Sequence, residues 1–190
     1  MTDDNKIIGK SIKRVDALGK VTGQTIYPGD RNQENELWLK ILFARRPHAR
    51  VVSIDTSEAK ALPGVMDVLT AEDVPVNQYG LQVPDQPVLC GPGSTKKGGD
   101  IVRFVGDQVA VVIAENEEIA AKARNLIKVD YEDLPVVYDV DYAMSGKAPQ
   151  LHPGVLNNVA DYKRIRMGDT EATWDQCNVI IEGIYQTPFQ

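Results

Sequence analysis

The sequence predicts an α+β fold, and three observations carry that prediction. Residues 51–75 read as strand, short helix, strand and turn. Residues 108–131 read as strand, one amphipathic helix and a second strand. Between them lies a long segment rich in proline and glycine, too irregular for either element. Helix and sheet sharing one core is the arrangement such a pattern implies.

The elements follow in order. Residues 1–13 read as a loose leader, and the pattern tightens from Arg14. Gly19-Lys-Val-Thr-Gly23 places turn glycines before a short β-type run, Gln24 to Tyr27, closed by Pro28-Gly29-Asp30. Leu37 to Ala44 is apolar at nearly every position. It predicts a strand buried on both faces, or one lying against a neighbouring domain; Pro47 ends it. Val51 to Ile54 is the next strand. Asp55 is placed to cap a short helix, with Glu58 completing a capping box, and Pro63-Gly64 stops that helix. Val65 to Leu69 is a further strand. Thr70 with Asp73 repeats the capping pattern for a single turn, halted at Pro75.

Residues 76–100 hold Pro84, Pro87, Pro92 and the run Lys96-Lys97-Gly98-Gly99. Loops of this length in compact domains are functional or covered by a partner. The glycines invite a phosphate-cradle reading, but no GxGxxG or GxxxxGK[ST] string is present. Order returns at Ile101. Gly106-Asp107 makes a turn and Gln108 to Ala114 is a buried strand. Asn116 then caps a helix whose first turn carries Glu117 and Glu118, favourable against the helix dipole. Ile119, Ala120, Ala123, Leu126 and Ile127 recur on one face of it. Lys128 to Tyr131 alternates as a half-buried strand, and Pro135 to Val137 extends it a little. Residues 143–160 read as a connector. Asp169 caps a short helix through Trp174 to Gln176, and Val179 to Tyr185 is a last strand. The chain stops soon after it, at Phe189-Gln190, so it reads as the front of something longer or as a protein ending in mid-element.

Composition narrows the function. Hydrophobic residues make up 43% and charged residues 25% of 190, ordinary for a globular protein. The net charge of -6, with no basic run, excludes non-specific nucleic-acid binding. No stretch approaches the ~18 apolar residues of a membrane span. The polar start, Met1 to Lys6, has no apolar signal core, which predicts a cytoplasmic location. Cys90 and Cys177 lie far apart and outside any CxxC pair, so each reads as a small apolar filler, not a metal or disulfide residue. His48 and His152 both sit in turn-like stretches and read as surface or capping histidines. The carboxylate pairs Asp3-Asp4, Glu117-Glu118 and Asp130 with Glu132-Asp133 read as solvated faces, caps and strand ends. No catalytic constellation emerges from the residues alone.

Four strings nonetheless match a family in order and spacing. Arg14-Val-Asp-Ala-Leu-Gly-Lys-Val-Thr-Gly-Gln-Thr-Ile-Tyr-Pro-Gly-Asp30 resembles the opening signature of the molybdenum-binding large subunit of the xanthine dehydrogenase/aldehyde oxidase family. Arg46-Pro-His-Ala-Arg-Val-Val-Ser-Ile54 with Leu62-Pro-Gly-Val65 agrees, as does Val105-Gly-Asp-Gln-Val-Ala-Val-Val112. The fourth runs from Gly168-Asp169 to Val179-Ile-Ile-Glu-Gly-Ile-Tyr-Gln-Thr-Pro-Phe-Gln190. Gln108 stands where the family often has Pro, and residues 76–100 match no family string.

The resemblance implies an α/β-hammerhead domain at 14–142, with a mixed sheet and few helices. A connector at 143–161 follows, then the first helix and strand of a molybdenum-cofactor domain at 162–190. It implies oxidative hydroxylation of an aldehyde or N-heterocycle, with water as the oxygen source. The cofactor would be molybdenum-molybdopterin in its cytosine dinucleotide form, held in the full enzyme and not by this chain alone. The partners would be the remainder of the large subunit and iron–sulfur and flavin subunits or domains. This chain's share would be architectural, covering the cofactor domain. One site residue carries over. Gln190 matches a family glutamine whose amide lies against a molybdenum oxygen ligand, where an amide donates a hydrogen bond without adding charge. A stand-alone, non-catalytic hammerhead module for binding or assembly is the alternative.

Overall fold

A computed structural model describes residues 8–81 and 83–188. Two compact units divide the chain, one reaching Val136 and the other starting at Val137.

The first unit contains six strands: β1 (Trp38–Phe43), β2 (Ala49–Asp55), β3 (Val65–Leu69), β4 (Ile101–Val102), β5 (Gln108–Ala114) and β6 (Lys128–Asp133). They form two three-stranded sheets, ordered β1-β5-β3 and β4-β2-β6, and every pairing is antiparallel. The few helices are as the resemblance implies, and where it implies a mixed sheet the strands form two antiparallel ones. Successive strands alternate between the sheets, so no two sequential strands pair. The strand–helix–strand run at 108–131 shows the consequence: β5 and β6 flank one helix but belong to different sheets.

β5 lies at the centre because both of its faces are buried. Ala110, Val112 and Ala114 point to a core shared with α2 (Ser57–Lys60) and α3 (Glu117–Leu126), where they meet Ala59, Ala120 and Ala123. Val109 points the other way, into a second core with Ala44, Val51, Cys90 and Val102. The alternation of side chains along a strand puts these sets on opposite faces. Alanine recurs at this helix–sheet seam, with Val68 and Val112 beside it.

α3 begins as its sequence predicts. Asn116 is extended, and its side chain accepts from the Ile119 amide. Replacing Asn116 with Ala is expected to lower stability by about 1 kcal/mol, measured by urea unfolding, since one orphan amide loses its partner. The 65–69 strand and the Thr70–Asp73 capping box also form as read, the latter over a 3-10 turn at Ala71–Asp73.

Other expectations are corrected. Residues 24–27 form no strand; the Gln24 and Thr25 amides bond back to the Gly19 carbonyl, closing the end of α1 (Ala17–Val21). β1 is not buried on both faces, since Leu39 is 53% exposed. Asp55 does not form a capping box with Glu58. Its carboxylate takes the Ser57 amide and hydroxyl, which holds it below the usual carboxylate range, while Glu58 pairs with Lys128 on β6. Residues 135–137 lie outside any strand, and a helix, α4 (Val140–Met144), takes in residues 143 and 144 at the start of the segment read as a connector.

In the second unit, α4 packs on a 3-10 turn at Leu156–Asn158. Asn158 ties this loop: its amide donates to the Ala143 and Pro149 carbonyls and accepts from the Leu151 amide. α5 (Thr170–Trp174) starts at Asp169, whose carboxylate accepts from the Ala172 amide. Residues 179–185 form no strand. An extended run without a neighbouring strand has no ladder to complete, however suitable its side chains. Residues 159–188 are exposed throughout.

Candidate functional site

Gln190, the one site residue implied by the resemblance, lies outside the described residues. Among the described residues, no cluster of three or more His, Cys, Asp or Glu side chains could hold a metal ion. His48 is buried, against expectation. Its ring Nδ1 stands 2.6 Å from the Pro135 carbonyl, and its own carbonyl accepts from the Leu134 amide. Only a protonated Nδ1 can donate to that carbonyl, so the ring acts as a peg for the chain leaving β6.

Cys90 fills the second core as expected, whereas Cys177 is exposed and fills nothing. Burial, and secondarily the Asp107 charge, pushes the Cys90 thiol from 9.0 up to about 12. Its contribution to stability is complete below about pH 9 and is lost as the pH rises towards about 12, because only the unfolded chain ionises in that window. Native-state alkylation at pH 8 is therefore expected to mark Cys177 and spare Cys90, read by peptide mass spectrometry.

Of the carboxylate pairs, Asp3-Asp4 lies outside the described residues, and the others are engaged in structural contacts. Glu118 pairs with Lys122, Glu117 with Lys40, Asp133 with Arg46, and Asp130 accepts from Ser53. Arg46 also lies over the Tyr131 ring at 5.5 Å. No pair of free carboxylates is arranged for proton transfer among them.

The residue that sequence reasoning missed is Asn77. It is fully buried and organises the whole 76–100 excursion. Its Oδ1 accepts from the Val88 and Leu89 amides at 2.8 and 2.9 Å. Its Nδ2 donates to the Leu89 carbonyl at 2.8 Å and to Ser94 Oγ at 2.7 Å. Both donors and both acceptor directions are used, and the Asn77 amide donates to Thr95 Oγ1. Nothing local in the sequence distinguishes this asparagine from the turn asparagines around it.

A bridge between Tyr79 and Gln86 closes one arm of the excursion, and Lys96 Nζ ties it to the Pro84 carbonyl. The other arm, residues 91–99, folds back on itself through the Gly91 amide and the Gly99 carbonyl. An open cleft of about 540 Å³ lies between this arm and β2. Arg50, Ser94, Lys97, Asp100 and Glu132 are among the residues that line it.

Residues 22–135, the two sheets and the excursion between them, match the family model for the aldehyde oxidase and xanthine dehydrogenase a/b hammerhead domain. The chain belongs to this family. A probable xanthine dehydrogenase subunit of Bacillus subtilis is 38% identical to this hammerhead chain over 178 residues, which cover 93% of this chain and 23% of that one. The nicotinate dehydrogenase large molybdopterin subunit of Eubacterium barkeri is 31% identical, across 98% of this chain and 42% of its own length. Among solved structures, a Cu,Mo-CO dehydrogenase superposes with a TM-score of 0.69 at 34% identity, covering 88% of this chain and 22% of that one. The aldehyde oxidoreductase of Desulfovibrio desulfuricans gives 0.65 at 35% identity, over 80% of this chain and 17% of its own. The hammerhead chain thus spans less than half the length of each of these relatives. Two of them are named for molybdenum or molybdopterin, and the relatives are subunits or parts of larger enzymes. Among the described residues, no helix is long and apolar enough to cross a membrane.

Proposed function

We propose that this chain is the hammerhead portion of the large subunit of a molybdenum hydroxylase, acting on an aldehyde or N-heterocycle. The observation that carries this is the 22–135 hammerhead match together with relatives of which the chain spans only 23–42%. The cofactor is molybdenum-molybdopterin, in its cytosine dinucleotide form, and it supplies oxidative hydroxylation with oxygen from water. The cofactor would be held by the remainder of the large subunit. The part of the described residues is to build a rigid cover for the cofactor domain, held by the two cores and the Asn77 knot.

The domain limits are a leader at 1–13, the hammerhead at 14–142, a connector at 143–161 and the start of the cofactor domain at 162–190. Gln190 would offer its side-chain amide to the cofactor as a neutral hydrogen-bond donor. The remainder of the large subunit, an iron–sulfur unit and a flavin unit complete a cytoplasmic assembly. The uncovered apolar side chains Val179, Ile181 and Ile184 support such partners, since an extended apolar run gains most from a neighbouring strand.

The test is the intact mass and metal content of the native protein purified with its partners. Molybdenum in the assembly and none in the isolated 190-residue chain is the expected result. Stoichiometric molybdenum in the isolated chain refutes the division of labour. A native chain that forms no complex with a cofactor-bearing partner supports the free-standing binding module instead.

A further inference from the structure

The cleft between β2 and the 91–99 arm holds donors that no acceptor takes among the described residues. Ser94 Oγ accepts from Asn77 Nδ2 at 2.7 Å and from the Lys96 amide at 3.2 Å. Both lone pairs are then in use, and its O–H remains to donate. Lys97 is exposed on the same arm and forms no ion pair among the described residues. Lys96 spends one of its three N–H groups on the Pro84 carbonyl.

The two carboxylates of the cleft do not cancel these charges. Arg50 bonds Asp100 on one side and stands 3.5 Å from Glu132 on the other, so both are engaged with one guanidinium. Arg50 offsets one of the two carboxylates, so with Lys96 and Lys97 the cleft keeps one positive charge in excess, carried on the arm that also bears Ser94. The arm is anchored rather than loose: the buried Asn77 amide fixes Ser94, and Arg103 donates to the Gly98 carbonyl.

From this geometry we infer that the cleft binds a phosphate-bearing small molecule, whose oxygens take the Ser94 hydroxyl and the Lys96 and Lys97 ammonium groups. A tetrahedral oxyanion offers acceptors in several directions, which suits donors carried by separate residues of one cleft lining. The cleft, at about 540 Å³, exceeds what a lone phosphate fills and falls within the roughly 300–1,000 Å³ of small-molecule sites. The sequence carries no phosphate-loop string, so this site is made by tertiary placement of Ser94 and two lysines against β2.

The test is calorimetric titration of the full chain with pyrophosphate, inorganic phosphate and ADP at constant ionic strength. Saturable binding is expected, weakened about tenfold by Lys97→Gln and unchanged by Lys122→Gln, an exposed α3 residue that does not line the cleft. Lys97 is exposed, so its replacement leaves the fold intact, which circular dichroism checks. Tighter binding of ADP than of pyrophosphate identifies a nucleotide as the occupant; the reverse identifies a free diphosphate. No saturable binding of any of the three, or binding equally weakened by both substitutions, overturns the proposal.

Discussion

Replacing Asn77 with Ala is expected to lower the unfolding free energy by about 3 kcal/mol, a large share of the ~5–15 kcal/mol that holds a domain folded. The loss is not that of one contact. The Val88 and Leu89 amides and the Leu89 carbonyl all lose their partner at a site with no exposure. Each buried polar group left unpaired costs about 1–3 kcal/mol, and partial access of water trims the sum. Asn77→Asp separates the two halves of the amide. It retains both acceptances but loses donation to Leu89 and Ser94. Urea unfolding of Asn77→Ala and Asn77→Asp beside the parent protein measures both losses. A deficit below about 1 kcal/mol for Asn77→Ala would remove Asn77 from its organising role.

Ala120→Leu is the second large effect, with an expected loss of about 2–3 kcal/mol. Ala120 is fully buried where α3 meets β5, among Ala59, Ala110, Ala114 and Ala123. These alanines share the core with Val68 and Val112, all without exposure, so no room is left for a longer side chain. Three more heavy atoms must lift α3 or force poor rotamers, and close-packed interiors do not absorb that volume. Lys122→Leu adds apolar bulk on the exposed side of the same helix and is expected to change stability by less than about 0.5 kcal/mol. Thermal or urea melts of the two variants give the comparison. Equal losses would mean that packing at this seam is not what limits the site.

Local features were legible because their causes are local. The Asn116 cap, the apolar face of α3 and the Thr70–Asp73 box each depend on residues three or four apart, and each formed as read. The Asp55 and Glu58 pairing failed for the opposite reason. Lys128, seventy residues away, offered Glu58 an ion partner across the β2–β6 pair. His48 failed similarly: its turn looked like surface, yet the carbonyl of Pro135 closes over it. Residues 179–185 have strand composition, but a strand exists only with a neighbour to pair with. The candidate site was least legible. Asn77 reaches residues 11, 12 and 17 positions away, and no spacing rule marks it.

By itself the sequence determined the α+β class, the run of short elements, the caps that start them and, through four ordered strings, the hammerhead family. These rest on side chains that meet their own near neighbours or on patterns carried whole along the chain. Only the tertiary structure decided that strands alternate between two antiparallel sheets, that β5 is buried on both faces, and that Asn77 holds the excursion together. Those depend on which distant backbone groups come to share hydrogen bonds and buried area, and that is settled only when the chain closes on itself.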